Sequence, residues 1–488
     1  MAQISKVLKA FSEISEFFSA LFKWLLVTLR GPWRLVNIRY VLNELTATLE
    51  AAVSDQSDQS VWLLRSANRE VARGDLDAAA GFYERAISQN PDNAEAYFLK
   101  ASNLTYLLGD LDLVDKEIEK GLAVNAAVAE RSGLSALNLR ILGNDFAGMG
   151  HLALLDSLVK LKKLGVISNH HIMLVDRRTV ANMAYLDCWR KHLPIIVTNS
   201  ARYSVIKHLL SPIFENLSMW EGKERRLPLY VAWNKALSGW NGPPLLELDA
   251  QSKRKGDEVL RAVGLPENAW FVGLHVREGK KGGYLRSGAD ADVNDYRSAV
   301  EYIVSRGGWV VRMGRGGTPL NGMPQVWDYA NSQACSDWMD VFLWASCRFF
   351  IGTSSGPISV PPTFGKPVLY TNAVALGISP DFPDSIMIPK LLWSRRENRL
   401  LTFKEILRGP YGWTVLPNFD KGQTRLVANS PNEILAAVEE MFESLDNPGL
   451  KTTKPAQAAF DEARRPFRST SQARIANSFA SSHQDLLQ

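Results

Sequence analysis

The chain has 488 residues, of which 46% are hydrophobic and 22% charged, a composition that excludes a disordered protein and supports about three domains. The formal charge of +5 comes from the two ends, because residues 1–40 contribute +4 and residues 448–488 contribute +3, which leaves −2 for residues 41–447. A body of this charge argues against a broad cationic face, so we expect no nucleic-acid partner. The three cysteines exclude a disulfide framework and a cysteine-rich zinc site, and they fit a reducing cytoplasm.

Residues 1–53 carry apolar side chains at helical spacing, beginning with a stripe from Ile4 to Leu25. The most apolar stretch, Phe17 to Leu29, is too short to span a bilayer and contains Lys23. The basic excess and Trp24 favour a helix that lies on an anionic membrane surface. The alternative is a helix that packs against another domain or a partner chain.

A short motif repeats in the next segment, because Gly-Asp-Leu-Asp at residues 74–77 recurs at residues 109–112. Ala67 and Tyr83 occupy positions where small and aromatic side chains let two helices pack closely. This spacing resembles the tetratricopeptide repeat, a helix-turn-helix unit of about 34 residues. We therefore expect helical repeats over 60–130. The second unit departs from the consensus, which favours a short bundle with a protein partner over a long solenoid.

Residues 136–265 read as alternating strands and helices, which predicts a parallel sheet with right-handed crossovers. The predicted strands are 137–142, 171–175 and 194–197, and the predicted helices are 152–161 and 181–190.

Residues 266–447 repeat this alternation. The predicted strands are 270–277, 308–314, 348–352 and 367–370, and the predicted helices are 294–305, 337–346, 356–364 and 431–444. Two doubly wound domains in tandem place a ligand cleft between them, at the carboxyl ends of the strands.

The segment 350–356, Phe-Ile-Gly-Thr-Ser-Ser-Gly, carries the sharpest signal in the chain. A strand ends in a turn of small polar residues, and Pro357 follows at a position that favours the start of a helix. Free N–H groups at a helix start bind phosphate. The alternative is a purely structural turn in which a serine caps the following helix. The candidate phosphate-binding residues are Thr353, Ser354, Ser355 and Gly356.

This segment resembles the donor-site signature of glycosyltransferases of the GT-B type. The wider run also resembles a bacterial family of glycosyltransferases of unassigned specificity, through residues 273–278, 306–314, 336–343, 350–372 and 388–392. The resemblance implies a GT-B-like pair of doubly wound Rossmann-type domains. The N-terminal domain would bind the acceptor, and the C-terminal domain would bind a nucleotide sugar.

His275 and Arg277 follow a predicted strand and face the expected cleft. A guanidinium there can pair with a diphosphate as the leaving group gains charge. The pair is also similar to the His-x-Arg strand end of GDP-fucose-using transferases, although Glu278 stands where that family has arginine. Arg312, at the end of the next strand, is a second candidate for donor binding.

Residues 148–150, Gly-Met-Gly, resemble the glycine-rich loop that opens the acceptor domain of GT-B enzymes. The resemblance implies that His151 is the general base, a role that suits histidine because an imidazole ordinarily exchanges protons near neutral pH. The alternative is that His151 only caps the following helix. Asp156 and Asp176 are the reserve candidates for the base.

Asp290 and Asp292 have Asp-x-Asp spacing, but they lie in a predicted loop, and we interpret them as solvated rather than metal-binding. No other pattern indicates a metal site, so metal-independent transfer without a cofactor is expected. Residues 448–488 are rich in Ser, Pro, Ala and Arg and read as a basic, partly disordered tail. Within it, Ile475 and Phe479 hint at a short helix that docks back.

The function that these features favour is a glycosyltransferase of the hexosyl or deoxyhexosyl class. Its acceptor would be a hydroxyl of a bacterial surface glycan or lipid-linked glycan, and its location would be cytoplasmic and peripheral on the inner membrane. Two alternatives stay open: a sugar-nucleotide epimerase of the same fold, and an inactive tetratricopeptide scaffold.

Overall fold

The structure is a computed structural model of the chain. It describes residues 59–73, 75–108, 111–131, 139–166, 170–198, 219–221, 226–228, 240–279, 288–320, 322–374, 376, 384–408, 423–447, 455–464 and 474–487. The predicted amphipathic helix in 1–53 lies outside these ranges. Across the ranges that are described, every helix falls short of the length and hydrophobicity needed to cross a membrane.

The first described segment is all-helical, as predicted. Its helices are α1 (Gln59–Arg73), α2 (Leu76–Gln89), α3 (Ala94–Leu108) and α4 (Leu111–Arg131). Consecutive helices pack on one another, and the small residues Ala67 and Ala79 are fully buried between α1 and α2. Tyr83 fills the remaining space and donates a hydrogen bond to Asn68 Oδ1 at 3.0 Å. The predicted roles of the small and aromatic positions are therefore confirmed.

The first α/β unit contains a parallel sheet in the order β1-β2-β3. Its elements are β1 (Leu139–Leu142), α5 (Met149–Lys163), β2 (His170–Asp176), α6 (Met183–Cys188) and β3 (Ile195–Thr198), followed by an antiparallel pair, β4 (Met219–Glu221) and β5 (Arg226–Pro228).

The second unit is larger. Its strands are β6 (Phe271–His275), β7 (Trp309–Arg312), β8 (Val326–Trp327), β9 (Phe350–Gly352), β10 (Val368–Ala373), β11 (Ile386–Pro389), β12 (Leu391–Ser394), β13 (Arg399–Leu400), β14 (Thr424–Val427) and β15 (Arg474–Ile475). Its helices are α7 (Ala250–Ala262), α8 (Arg297–Ser305), α9 (Asp337–Ser346), α10 (Phe403–Arg408), α11 (Pro431–Asp446), α12 (Pro455–Arg464) and α13 (Asn477–Ser482).

Seven of these strands form one parallel sheet in the order β15-β11-β10-β9-β6-β7-β8. The interior strand β10 is buried along its whole length, which is why its sequence does not alternate between apolar and polar residues. The predicted fold class, two α/β units with parallel sheets after an all-α segment, is confirmed. One continuous apolar core joins the two units.

The structure corrects the predicted helix at 356–364. Two separate 3₁₀ turns, Gly356–Ser359 and Pro361–Phe364, occupy this segment. Pro361 and Pro362 lack backbone N–H groups, so a regular α-helical ladder cannot continue through them.

The helix α7 lies before the predicted domain boundary at residue 265, yet it packs against the second unit. Gly256 on α7 lies so close to Phe342 of α9 that a Cβ would come within 2.1 Å of the phenyl ring. The Lys255 ammonium lies 4.0 Å from the centroid of the Trp338 ring, also on α9. This helix is therefore part of the packing of the second unit.

The described parts of the tail, 455–464 and 474–487, form α12, β15 and α13, and partial disorder of the tail stays a prediction. Strand β15 extends the large sheet by pairing with β11, and Phe479 is 1% exposed. Glu440 on α11 accepts hydrogen bonds from Arg474 and from the backbone and side-chain nitrogens of Asn477. The predicted docking of Ile475 and Phe479 is confirmed.

Candidate functional site

The carboxyl ends of the parallel strands bring the predicted donor-site residues Arg277 and Thr353, and also Lys390, to one edge of the large sheet. In parallel strands these ends all lie at the same edge. Arg277 follows β6, Thr353 follows β9 and Lys390 follows β11, with β10 between the last two. This edge is the part of the second unit where a ligand would bind.

Arg277 is tied to the 353–356 turn through its backbone and to a loop through its side chain. Its backbone N–H donates to Thr353 Oγ1 at 3.0 Å, and its Nε donates to Asp290 Oδ1 at 3.2 Å. The side chain is 43% exposed. The Nη edge of the guanidinium has no partner among the described residues, so it is available to a ligand.

Two of the three hydroxyls in the turn are used to hold the turn itself. Thr353 Oγ1 accepts the N–H of Arg277, while Ser354 Oγ is 2.5 Å from Tyr370 Oη and accepts the N–H of Val374 at 3.0 Å. Ser355 precedes the first 3₁₀ turn, but its side chain makes no capping hydrogen bond. Ser355 is therefore the hydroxyl of this turn that can turn toward a ligand.

His275 is a neutral group at the end of β6. Burial, and then the nearby charge of Arg312, lower the pKa of His275 to about 4. Its Nδ1 is buried and makes no hydrogen bond within the described part of the chain. At neutral pH this imidazole is uncharged, so it cannot add a positive charge for a ligand.

Arg312 lies inside the protein, and its side chain is 2% exposed. Its Nη2 is 2.5 Å from Glu278 Oε2, and its Nη1 donates to the Gly316 carbonyl at 2.9 Å. Glu278 also accepts the N–H of Thr318 at 2.9 Å. Glu278 and the loop after β7 therefore use both Nη groups of this predicted donor-binding arginine, while its buried Nε makes no hydrogen bond within the described residues.

The glycine-rich loop of the first unit meets the turn of the second unit. Gly150, near the start of α5, contacts Gly356 so closely that a Cβ on Gly356 would lie 2.7 Å from the backbone nitrogen of Gly150. His151 is the next residue and is exposed. The structure thus brings His151 next to the contact between the two units.

The two reserve candidates for the base are both paired. Asp156 is 7% exposed and forms an ion pair with Lys160 at 2.7 Å. Burial raises the pKa of Asp156 to about 6, although Lys160 opposes the shift. Asp176 accepts hydrogen bonds from Arg178, which lower the pKa of Asp176. Neither carboxylate is presented to solvent beside the glycine-rich loop.

The interpretation as solvated is wrong for Asp290, which is partly buried, but it fits Asp292, which is exposed. Asp290 accepts Arg277 Nε through its carboxylate and Lys390 Nζ through its backbone carbonyl, the latter at 2.5 Å. Asp292 caps a 3₁₀ turn by accepting the N–H of Asn294 at 2.8 Å. The described residues contain no group of three or more His, Cys, Asp or Glu side chains that could hold a metal ion, and metal independence stays a prediction.

An acidic pair on α9 connects the two units, which the sequence analysis missed. Asp337 accepts the backbone N–H of Met183 at 2.8 Å, and the Asn182 amide donates to the Asp337 carbonyl at 3.0 Å. Arg315 Nη2 lies 2.8 Å from Asp340 Oδ2, and this carboxylate also accepts from Asn182 at 3.3 Å. The sequence signal for this contact is the Ser-Asp-x-x-Asp pattern at the start of α9. The pattern does not identify which segment of the chain the two carboxylates bind.

Comparison with known proteins identifies one segment at the sequence level. Residues 59–102 match the tetratricopeptide repeat family, which confirms the helical repeat. No curated protein sequence matches the chain significantly.

Solved structures of sugar-nucleotide enzymes are similar in topology. The glycosyl transferase family 9 protein from Veillonella parvula is 11% identical, with 63% of this chain and 97% of that chain covered and a TM-score of 0.41. The ADP-heptose lps heptosyltransferase II of E. coli is 12% identical, with 63% and 99% covered and a TM-score of 0.38. The UDP-GlcNAc 2-epimerase from Neisseria meningitidis is 10% identical, with 70% and 82% covered and a TM-score of 0.26.

Proposed function

We propose that this chain is a glycosyltransferase that moves a hexosyl or deoxyhexosyl group from a nucleotide sugar to an acceptor hydroxyl. The observation that carries the proposal is the backbone contact between Gly150 and Gly356. It places a glycine-rich helix start of one α/β unit against the small-residue turn of the other, at the carboxyl ends of the parallel strands. Reactants held by the two units would meet beside this contact.

The donor diphosphate would lie against the second unit. The Nη edge of Arg277 supplies charge-assisted hydrogen bonds, and Ser355 supplies a hydroxyl next to them. As the bond from the anomeric carbon to the diphosphate breaks, negative charge grows on the leaving oxygen, and a preorganised guanidinium stabilises it. Arg312 and Glu278 would act by fixing the loop beside this site rather than by touching the donor.

The acceptor would lie against the first unit, with its hydroxyl facing His151. A neutral imidazole can take the proton as the oxygen attacks the anomeric carbon. The exposed position of His151 next to the Gly150 contact supports this role, whereas Asp156 and Asp176 are held by Lys160 and Arg178.

The acceptor that we propose is a bacterial surface glycan or a lipid-linked glycan at the cytoplasmic face of the inner membrane. The apolar and basic pattern in residues 1–53 supports attachment to an anionic membrane surface. The helical repeat over 59–102 supports docking of a protein partner.

The test is release of a nucleoside diphosphate from UDP-, ADP- and GDP-sugars, with and without an extract of bacterial glycolipids as acceptor. Transfer predicts release that requires both the nucleotide sugar and the acceptor. Epimerisation without an acceptor would favour the epimerase. Failure of all three nucleoside diphosphates to raise the melting temperature would favour the inactive scaffold.

A further inference from the structure

Lys390 is a buried cation at the same edge of the sheet as Arg277. It follows β11 directly and is 7% exposed. Its ammonium donates to the Asp290 carbonyl at 2.5 Å and has no other hydrogen-bond or ion-pair partner among the described residues. An ammonium has three N–H donors, so most of its hydrogen-bonding capacity is unused in a place where water has little access.

A protein rarely buries a charge in this way without a partner, because the lost hydration must be replaced. Burial lowers the pKa of Lys390 to about 8, and the charge of Asp290 only partly opposes the shift. The ammonium is thus mostly protonated at neutral pH but easily loses its proton. An anionic ligand beside it would supply the missing partner.

Asp290 links Lys390 to the donor site. The Asp290 carboxylate accepts Arg277 Nε at 3.2 Å, and its backbone carbonyl accepts Lys390 Nζ. In the sheet, β9 and β10 lie between β6, which precedes Arg277, and β11, which precedes Lys390. The 353–356 turn follows β9, so in the order of the strands it lies between the two cations.

We propose that Lys390 is a second cationic group for the donor diphosphate and that Asp290 positions both Lys390 and Arg277. This inference deepens the proposed function and rests on it. A diphosphate over the turn would accept from the Nη edge of Arg277 on one side and from the ammonium of Lys390 on the other.

Calorimetric titration with UDP, ADP and GDP tests this, using whichever of them binds the wild-type protein. Lys390→Met should weaken the affinity about tenfold or more, as a lost charge-assisted contact does. Lys366→Met is the matched control, because Lys366 is partly exposed and precedes β10 at the opposite edge of the sheet. The control should bind like the wild-type protein.

A second measurement uses the wild-type protein alone. At pH 8.5 a nucleoside diphosphate is already fully ionised, so its binding should draw a proton onto Lys390. Titrations in two buffers of different ionisation enthalpy measure this uptake, which Lys390→Met should abolish. A merely structural lysine would produce no such uptake.

The outcomes distinguish failure of the role of Lys390 from failure of the proposed function. If the nucleotide binds and Arg277→Ala weakens it, but Lys390→Met retains full affinity or the wild-type protein takes up no proton, the role of Lys390 is overturned and the donor site stands. If no nucleoside diphosphate binds the wild-type protein, the proposed function falls and this inference falls with it.

Discussion

Arg277 illustrates how a single hydrogen bond selects which atoms of a side chain a ligand can use. Asp290 occupies Nε and leaves the paired Nη groups, which have the geometry that matches phosphate oxygens. Arg312 has the same charge at the end of the neighbouring strand, yet Glu278 and the Gly316 carbonyl use its Nη groups. Equivalent positions on adjacent strands therefore have different roles.

We predict that Arg277→Ala weakens nucleoside diphosphate binding by about 2 kcal/mol, the usual size of a charge-assisted contact. Arg277→Lys should have an affinity between those of the wild-type protein and Arg277→Ala, because an ammonium cannot bind two oxygens in parallel. Titration calorimetry measures the effect, with Arg261→Ala on the exposed face of α7 as the control. Unchanged affinity and turnover in Arg277→Ala would reject the donor site.

We predict that His151→Ala lowers turnover about 10²- to 10⁴-fold, as loss of a positioned general base does, and leaves donor affinity unchanged. The exposed side chain makes a small effect on folding the expected result. Initial rates and nucleotide titrations of the same preparation provide the two measurements. Full activity would remove His151 from the mechanism, and a large drop in melting temperature would indicate that it caps α5.

Asp156 should make the stability depend on pH. Its pKa is about 6 in the folded protein against 3.8 as the ordinary value, so the unfolded chain releases this proton first as the pH rises. The contribution of Asp156 to the free energy of unfolding therefore falls between about pH 4 and pH 6, by about 3 kcal/mol.

Asp156→Asn should remove this part of the dependence. Urea unfolding at pH 4.5 and pH 7 is the measurement, and the wild-type protein should gain stability relative to the variant at the lower pH. Parallel curves for the two proteins would mean that Asp156 titrates normally.

At the scale of elements, the two short loops at the contact between the units depend on the absence of side chains. Gly150 and Gly356 approach at backbone distance, and Met149 contacts Gly356 from the same side as Gly150. Because this contact positions the donor and acceptor sides, its geometry controls the reaction in the proposed mechanism.

We predict that Gly356→Ala destabilises the protein by about 1–3 kcal/mol and lowers turnover, since the new Cβ would lie 2.7 Å from Gly150 N and the backbones must move apart. Gly81→Ala on α2 is the control, because its Cβ would meet nothing within 4 Å, and a helical Gly→Ala change is mildly stabilising. Thermal unfolding and initial rates measure both. If Gly356→Ala had the melting temperature and turnover of the wild-type protein, the two backbones could separate without loss of stability or activity.

At the scale of the whole molecule, the described structure connects an all-α segment to two α/β units that share one apolar core. The acidic pair Asp337 and Asp340 adds polar contacts from α9 to Asn182 and Met183. These apolar and polar contacts favour one fixed orientation of the two units, in which the 353–356 turn and the glycine-rich loop face each other.

We predict that removing residues 1–52 releases the protein from membranes, because the apolar stripe, Trp24 and the basic residues lie there. Flotation with vesicles that contain anionic lipid measures this, and neutral vesicles are the control. If the full-length protein ignores anionic vesicles, these helices pack on protein instead.

Local sequence patterns determined the fold class and the general location of the site. Buried parallel strands are apolar along their length and end in loops, so β6, β7, β9 and β10 and the strand-end position of Arg277 follow from periodicity. The strands β8, β11 and β15 of the same sheet were not predicted. The helical repeat follows likewise from small residues at fixed spacing. The structure of the tail was harder to predict, because Ile475 and Phe479 are isolated apolar residues in a mostly polar segment.

Only the tertiary structure decided which partner each polar group has. Glu278 pairs with Arg312 across 34 positions, and Lys390 reaches Asp290 across 100. No local pattern encodes such contacts, because they depend on strand order and on how loops cross the sheet edge. The sequence by itself thus determined that cations and small hydroxyl residues lie at the carboxyl edge. Burial and long-range hydrogen bonding decided which of them have atoms left for a ligand.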